Sequence, residues 1–264
     1  MQKEYRTQRK YQTQIIKSLE NIYISPLELC NLNCRYCYTQ KTKFILTNSQ
    51  ILSFIRRYQK QINLKSIIFC GGEVFALKNF PSLVNKLNSL GIFISIITNG
   101  TIDKLEKIKD PKNCQLIVSF DGPKSVHDTN RGIGNFQKSK NFIIHAQKLG
   151  FHVEIFFLIT KDSYAYRDSF NISNITKTYL TDRKGSLNAK QVINIRQNYP
   201  AYPPKNFACS MLSLQSDGKF YGCCESQKSI GSLSDSVKTI TNNYLNIISK
   251  NPLCSDPDYF CNLK

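Results

Sequence analysis

The chain has 264 residues, enough for one domain with a full core or one domain plus a small appendage. No run of about 18 apolar residues occurs and the N-terminal stretch lacks the hydrophobic core of a signal peptide, so the expectation is a soluble, cytoplasmic protein with no membrane partner. Lys and Arg outnumber Asp and Glu by 36 to 18, but the cations run along the whole chain, so nucleic acid is not the expected partner.

Residues 1–21 form a basic N-terminal segment, read as helical, in which Lys3, Arg6 and Arg9 alternate with Tyr5 and Tyr11. Ile22 to Leu29 reads as a first strand that feeds directly into a cysteine loop. Ile51, Phe54, Ile55 and Tyr58 fall at i, i+3, i+4 and i+7, the apolar stripe of a helix, with Thr47 or Asn48 as its cap. Ser66 to Cys70 is a second strand ending at Gly71-Gly72-Glu73. Leu83, Leu87 and Leu90 mark a helix that stops at Gly91, where glycine suits the left-handed C′ position.

Phe93 to Thr98 reads as a third strand, followed by a short helix and a fourth strand, Gln115 to Phe120. Phe142, Ala146 and Leu149 belong to a helix ending at Gly150. Val153 to Ile159 is almost uninterruptedly apolar, as expected of a parallel strand covered on both faces. Residues 163 to 180 read as helical, and Val192 to Arg196 as a sixth strand. After a Pro-rich break at 199–204, Leu212 to Gln215 and Lys219 to Gly222 flank the turn Ser216-Asp217-Gly218, and Val237, Ile240, Tyr244 and Ile247 form one helical stripe.

Strands alternating with helices imply right-handed βαβ units and a parallel sheet. Six units fall short of a closed eight-strand barrel, and the chemistry-bearing loops follow strands one, two and four. The reading is an α/β partial (β/α)6 TIM-like barrel over residues 22–198, with its site at the C-terminal ends of the strands. Residues 199–264 form a small separate domain.

Cys30, Cys34 and Cys37 stand in one short window. A cuboidal 4Fe-4S cluster prefers four thiolates, so three in one loop would leave one iron open for a small molecule. Structural zinc ordinarily recruits a fourth ligand at close spacing, whereas the nearest histidine in the sequence is the distant His127. Ten cysteines in a chain expected to be cytoplasmic also argue for metal ligation over disulfides.

The Cys-x3-Cys-x2-Cys spacing with Tyr36 before the third cysteine resembles the signature of the radical S-adenosylmethionine (SAM) superfamily. The resemblance implies a 4Fe-4S cluster on Cys30, Cys34 and Cys37, with SAM on the open iron and one-electron cleavage to methionine and a 5′-deoxyadenosyl radical. Tyr36, Gly71, Gly72 and Glu73 would help bind this cofactor, Glu73 meeting the SAM amino group and the glycines permitting close backbone approach. Ser119-Phe120-Asp121-Gly122-Pro123, followed by His127-Asp128 and Arg131, resembles the segment after the fourth strand in peptide- and protein-modifying members, including anaerobic sulfatase-maturating enzymes. By position, Ser119 and Arg131 would contact SAM, the Arg131 guanidinium donating to the SAM carboxylate. Asp121 would lie near the ribose or order the loop.

Cys209, Gly218 and Cys223 resemble the element that opens SPASM and twitch extensions, which hold auxiliary Fe-S clusters. The resemblance implies one auxiliary 4Fe-4S cluster on Cys209, Cys223, Cys254 and Cys261, with the choice between Cys223 and its neighbour Cys224 left open. Zinc is the alternative occupant. The leading function is modification of a peptide or protein residue by thioether cross-linking, epimerisation or oxidation, with electrons from a reductant protein such as a flavodoxin or ferredoxin. In an epimerase, Cys224 or Cys70 could return hydrogen to the substrate. Alternatives are a small-molecule radical SAM dehydrogenase and an Fe-S or zinc RNA-binding protein.

Overall fold

The computed structural model describes residues 18–37, 39–172, 175–181, 186–199, 211–224, 226 and 228–250. Strands β1 (Asn21–Ile24), β2 (Ser66–Phe69), β3 (Phe93–Thr98), β4 (Cys114–Phe120), β5 (His152–Ile159) and β6 (Lys177–Thr181) lie side by side in chain order, all parallel. Helices α1 (Asn48–Gln59), α2 (Phe80–Asn88), α3 (Lys124–Arg131) and α4 (Asn135–Lys148) occupy the connections. The described sheet ends at β6 without closing, which is the expected partial barrel.

Strand β7 (Leu212–Leu214) pairs in parallel with β1, and β8 (Lys219–Tyr221) and β9 (Ser229–Ser232) continue the sheet antiparallel beyond it. The hairpin therefore extends the barrel sheet. Phe220 of β8 packs 4.6 Å from Phe54 of α1, ring centre to ring centre, and both are fully buried. Helix α6 (Val237–Lys250) covers the hairpin through Val237, Ile240 and Tyr244.

The period-2 alternation of the strands divides the core in two. Ile22, Ile24, Ile67, Phe69, Ile94, Ile96, Leu116, Val118, Ile155 and Phe157 face the helices and are fully buried. Tyr23, Ile68, Cys70 and Ile97 form a second, smaller cluster on the other face, inside the barrel. Helix α1 starts at a reciprocal capping box between Thr47 and Gln50 and lays Ile51, Phe54, Ile55 and Tyr58 onto the sheet.

Two predicted elements are different in the structure. Among the described residues of 163 to 180 there is no α-helix: a tight turn, Tyr164–Tyr166, precedes strand β6. Ser163 Oγ accepts the Thr160 N–H at 2.8 Å and donates to Leu158 O at 2.8 Å, closing the chain at the end of β5 before a helix can propagate. The predicted strand Val192 to Arg196 is instead helix α5 (Ala189–Asn198). Its β-branched residues suggested a strand, but Asn188 and Gln191 form a reciprocal cap, and Val192, Ile195 and Tyr199 share the helical period.

Candidate active site

The loops after β1, β2 and β4 meet at the C-terminal ends of the strands, around a cavity of about 200 Å³. Cys30, Cys34 and Cys37 all line it, and none is in a disulfide. The loop that carries them is tied down from several sides. Arg35 N–H donates to Asn130 O of α3 at 2.8 Å, and Leu46 N–H to Pro26 O at 2.8 Å. The Lys41 ammonium holds Leu32 O and Asn33 Oδ1, each at 3.1 Å. The Tyr36 hydroxyl, on the cavity wall, donates to Asp162 Oδ2 at 3.0 Å.

Gly71 and Gly72 also line the cavity, and their lack of side chains serves the cysteine loop first. A Cβ on Gly71, whose φ is +124°, would sit 2.2 Å from Leu27 O, and one on Gly72 would sit 1.9 Å from Leu29 O. The close approach lets Gly72 N–H donate to Leu27 O at 2.8 Å and Glu73 N–H to Leu29 O at 3.0 Å. Glu73 itself is fully buried and stands outside the cavity wall. Its Oε1 accepts the Thr98 hydroxyl at 2.8 Å and the Phe75 N–H at 3.0 Å, while Oε2 accepts the Asn99 N–H at 2.8 Å. Burial raises this carboxyl above its ordinary pKa, and those donors pull the other way.

Asn99, at the end of β3, carries no role in the sequence reading, yet it joins two loops. Its side-chain amide donates to Asn31 Oδ1 at 3.0 Å and reaches Cys30 Sγ at 3.6 Å. Leu32 N–H points at the same sulfur at 3.4 Å. The Asn99-Gly100 pair after a strand was its only sequence signal, and such a pair usually marks a turn.

From β4, Ser119, Asp121 and Arg131 reach the cavity. Arg131 directs both Nε and Nη2 onto Asp121 Oδ1, at 2.9 and 2.8 Å. Burial works against the guanidinium's charge, but Asp121 and then Cys34 more than restore it. Asp121 N–H donates to Nδ1 of the fully buried His127 at 3.4 Å. Burial and the Arg131 charge lower the His127 pKa to about 3, which keeps the ring neutral.

Cys70 and Cys224 face the cavity as well, from the end of β2 and from the segment after β8. Cys223 is buried and lies near enough to Tyr244 of α6 to raise its hydroxyl pKa, behind the burial effect. The two neighbouring cysteines thus serve different surroundings. Cys209, Cys254 and Cys261 lie outside the described residues.

The donor set fits an iron-sulfur cluster. Burial pushes the Cys30 and Cys34 thiols up, so thiolates here need a cation to hold them, while N–H groups already point at Cys30 Sγ. Among the described residues no three His, Cys, Asp or Glu side chains converge as a single ion requires. A cuboidal cluster has no such requirement, because each thiolate takes a separate iron. No described helix is long and apolar enough to cross a membrane.

The radical SAM superfamily profile matches residues 24–167, more than half of the chain. The chain belongs to that superfamily. Over 121 residues it is 29% identical to the sporulation killing factor maturation protein SkfB of Bacillus subtilis, a match covering 43% of the chain and 29% of SkfB. It is 22% identical over 272 residues to the "Probable GTP 3′,8-cyclase" of Sulfolobus acidocaldarius, covering 84% and 87% respectively. The fold is similar to that of anSMEcpe with bound AdoMet and Cp18Cys peptide, with a TM-score of 0.69 at 19% identity over 87% of this chain and 82% of that one. Against the first curated relatives, the matched part is 29% of SkfB and 60% of the 7-carboxy-7-deazaguanine synthase of Aquifex aeolicus.

Proposed function

We propose that the chain is a SAM-cleaving enzyme that modifies a residue of a peptide or protein, by thioether cross-linking, epimerisation or oxidation. The observation that carries this reading is the meeting of three separate loops on one cavity: Cys30, Cys34 and Cys37 after β1, Gly71 and Gly72 after β2, and Ser119, Asp121 and Arg131 after β4. The three cysteines would hold a 4Fe-4S cluster. When bound, cluster and SAM supply a 5′-deoxyadenosyl radical able to take a hydrogen atom from an unactivated carbon.

This chain's own residues orient and enclose that chemistry. Arg131, steadied by Asp121, offers its remaining N–H groups to a carboxylate at the wall. Backbone at Gly71 and Gly72 gives a smooth wall beside the cysteines. Cys70 and Cys224 are the thiols available to give a hydrogen atom to a substrate carbon radical. Each would be restored by one electron from a reductant such as a flavodoxin or ferredoxin and one proton from solvent. Cys223, with Cys209, Cys254 and Cys261, is assigned to an auxiliary 4Fe-4S cluster.

A peptide substrate is supported by the resemblance to SkfB, a maturation protein, and by the fold shared with a protein seen with a bound peptide. A small-molecule substrate is the second reading, because the match to the Sulfolobus cyclase spans most of both chains. Anaerobic reconstitution with iron and sulfide tests the enzyme: about eight irons per chain and reductive cleavage of SAM to 5′-deoxyadenosine are expected. Replacing Cys30, Cys34 or Cys37 with Ala should abolish cleavage, while Cys114→Ala, buried beneath α2, should not. Zinc in place of iron, with no SAM cleavage, would sink the proposal.

A further inference from the structure

We infer that the outer side of the cysteine loop, around Leu29, Phe44 and Ile45, is the docking surface for a small acidic electron-carrier protein, and that electrons enter the site there. This surface rests on the reading of the chain as a SAM-cleaving enzyme, because each reductive cleavage takes one electron. The carrier gives up that electron and is itself oxidised by one, and no atom passes between the two proteins.

Among the described residues, Leu29, Phe44 and Ile45 are 40%, 59% and 47% exposed, and none of the three lines the cavity. Two adjoining segments carry them: Leu27 and Ile45 form an antiparallel bridge, and Leu46 N–H donates to Pro26 O at 2.8 Å. Leu29 immediately precedes Cys30, so a protein seated on it stands one residue from a ligand of the expected cluster. Large apolar side chains left in water gain by burial against a partner, at roughly 25 cal/mol per Å².

The surroundings set the partner's charge. From Leu29 to Gly72 the sequence has seven Lys and Arg and no Asp or Glu, and three of those cations, Arg35, Lys41 and Lys43, belong to the same loop. Lys43 is exposed, and Lys41 meets only the neutral Leu32 O and Asn33 Oδ1, while Arg35 shares Asp162 at 3.3 Å. Glu28, the nearest acid in the sequence, lines the cavity instead. Helix α1 starts three residues beyond Ile45, and a groove of about 640 Å³ between α1 and α2 is lined by Arg56, Lys60 and Lys86 and, among the described residues, by no carboxylate. The positive surface thus continues from the loop onto the helices. An apolar centre within a positive surround steers an acidic partner from a distance and still lets it leave, as weak electron-transfer encounters require.

The test uses the reconstituted full chain and three dye-labelled carriers, followed by fluorescence anisotropy: an acidic flavodoxin, an acidic ferredoxin and the basic cytochrome c. Binding of flavodoxin or ferredoxin is expected, weakening as salt rises from roughly 20 to 200 mM, with none of cytochrome c. Lys43→Glu and Phe44→Ser should each weaken it about fivefold, whereas Ile193→Ser, at an exposed apolar position on α5, should not. SAM cleavage on the same preparations adds a second readout. The two loop variants should lose about fivefold when a subsaturating reduced carrier supplies the electron and nothing when dithionite does, because so small a reductant needs no docking surface. No binding of either acidic carrier to the full chain, equal binding of cytochrome c, or a dimer that Phe44→Ser dissociates in sedimentation would overturn the inference. A Glu-rich peptide that binds more tightly than either carrier would assign the surface to a peptide and overturn it too. An equal loss with carrier and dithionite rejects the docking surface alone, since the variants then act on the cysteine loop itself. No cleavage by the wild type with dithionite rejects the parent reading and the docking surface with it.

Discussion

Asn99 donates its backbone N–H to Glu73 Oε2 at 2.8 Å, while its side chain reaches Cys30 Sγ at 3.6 Å. The Gly-Gly-Glu segment thus acts on the cysteine loop twice, directly through the N–H groups of Gly72 and Glu73 and indirectly through Asn99. The buried carboxylate accepts three donors, the Thr98 hydroxyl and the N–H groups of Phe75 and Asn99. Removing it should loosen the cluster loop even though Glu73 does not line the cavity.

Glu73→Ala strands the donors of Phe75, Thr98 and Asn99, and unpaired buried groups cost about 1 to 3 kcal/mol each. A loss of roughly 3 kcal/mol or more in urea denaturation is expected, with a matching fall in iron bound after reconstitution. Glu73→Gln keeps one acceptor and should lie between the two. Full stability and full iron loading of the alanine variant would remove Glu73 from this role.

Gly72→Ala tests the close approach itself. Gly72 has no left-handed backbone to lose, so its cost is purely the clash of a Cβ at 1.9 Å from Leu29 O, about 3 kcal/mol, with iron loading lowered. Gly91→Ala is the contrast: φ is +77° but nothing lies within 4 Å, so about 1 kcal/mol of backbone strain is expected and iron loading should be untouched. Equal iron loss in both variants would contradict the packing argument.

Asp121→Asn leaves the Arg131 guanidinium without its charged partner inside the protein. A stability loss of about 3 kcal/mol is expected, and weaker SAM binding by isothermal titration because the side chain is no longer steered. Arg131→Lys should keep the charge and lose the fork, reducing SAM affinity more than stability. If both variants bind SAM as tightly as the wild type, Arg131 does not contact it.

His127 predicts a pH dependence with a definite sign. Its folded pKa, near 3, lies below the ordinary value of about 6.5, so between these limits the unfolded chain binds a proton that the folded one refuses. Stability from this group is full above pH of about 6.5 and declines as pH falls, by about 1.4 kcal/mol per unit. Urea midpoints at pH 6 and pH 5, where most carboxylates remain ionised, should therefore fall less in His127→Gln than in the wild type. Identical slopes would mean that His127 can protonate without unfolding its surroundings.

Much of this arrangement could be read along the chain. The first five parallel strands follow from apolar runs closed by Gly71-Gly72, Asn99-Gly100 and Asp121-Gly122, and α1 follows from its stripe and its Thr47 cap. The sixth unit could not be read this way. Thr178, Tyr179 and Leu180 become a strand because β5 offers them a free edge, and Val192 and Ile195 become helical because Asn188 and Gln191 cap each other. Both outcomes depend on partners rather than on propensity.

The functional site shows the same division. Cysteine spacing and the order of Gly71-Gly72-Glu73 and Asp121 through Arg131 named the loops that meet. Spacing could not say that Glu73 holds the Asn99 N–H, or that Phe156, Leu158 and Leu180 complete the cavity wall.

The sequence by itself determined the alternation of strands and helices, the family, and the three loops that carry the chemistry, because each rests on local period or spacing. Only the tertiary structure decided which side chains face the cavity and which brace its walls. Cys30 and Asn99 are 69 residues apart, and Leu158 meets Leu180 through strand register. Such contacts arise when the sheet assembles, and a one-residue shift in register would turn each of those side chains to the opposite face.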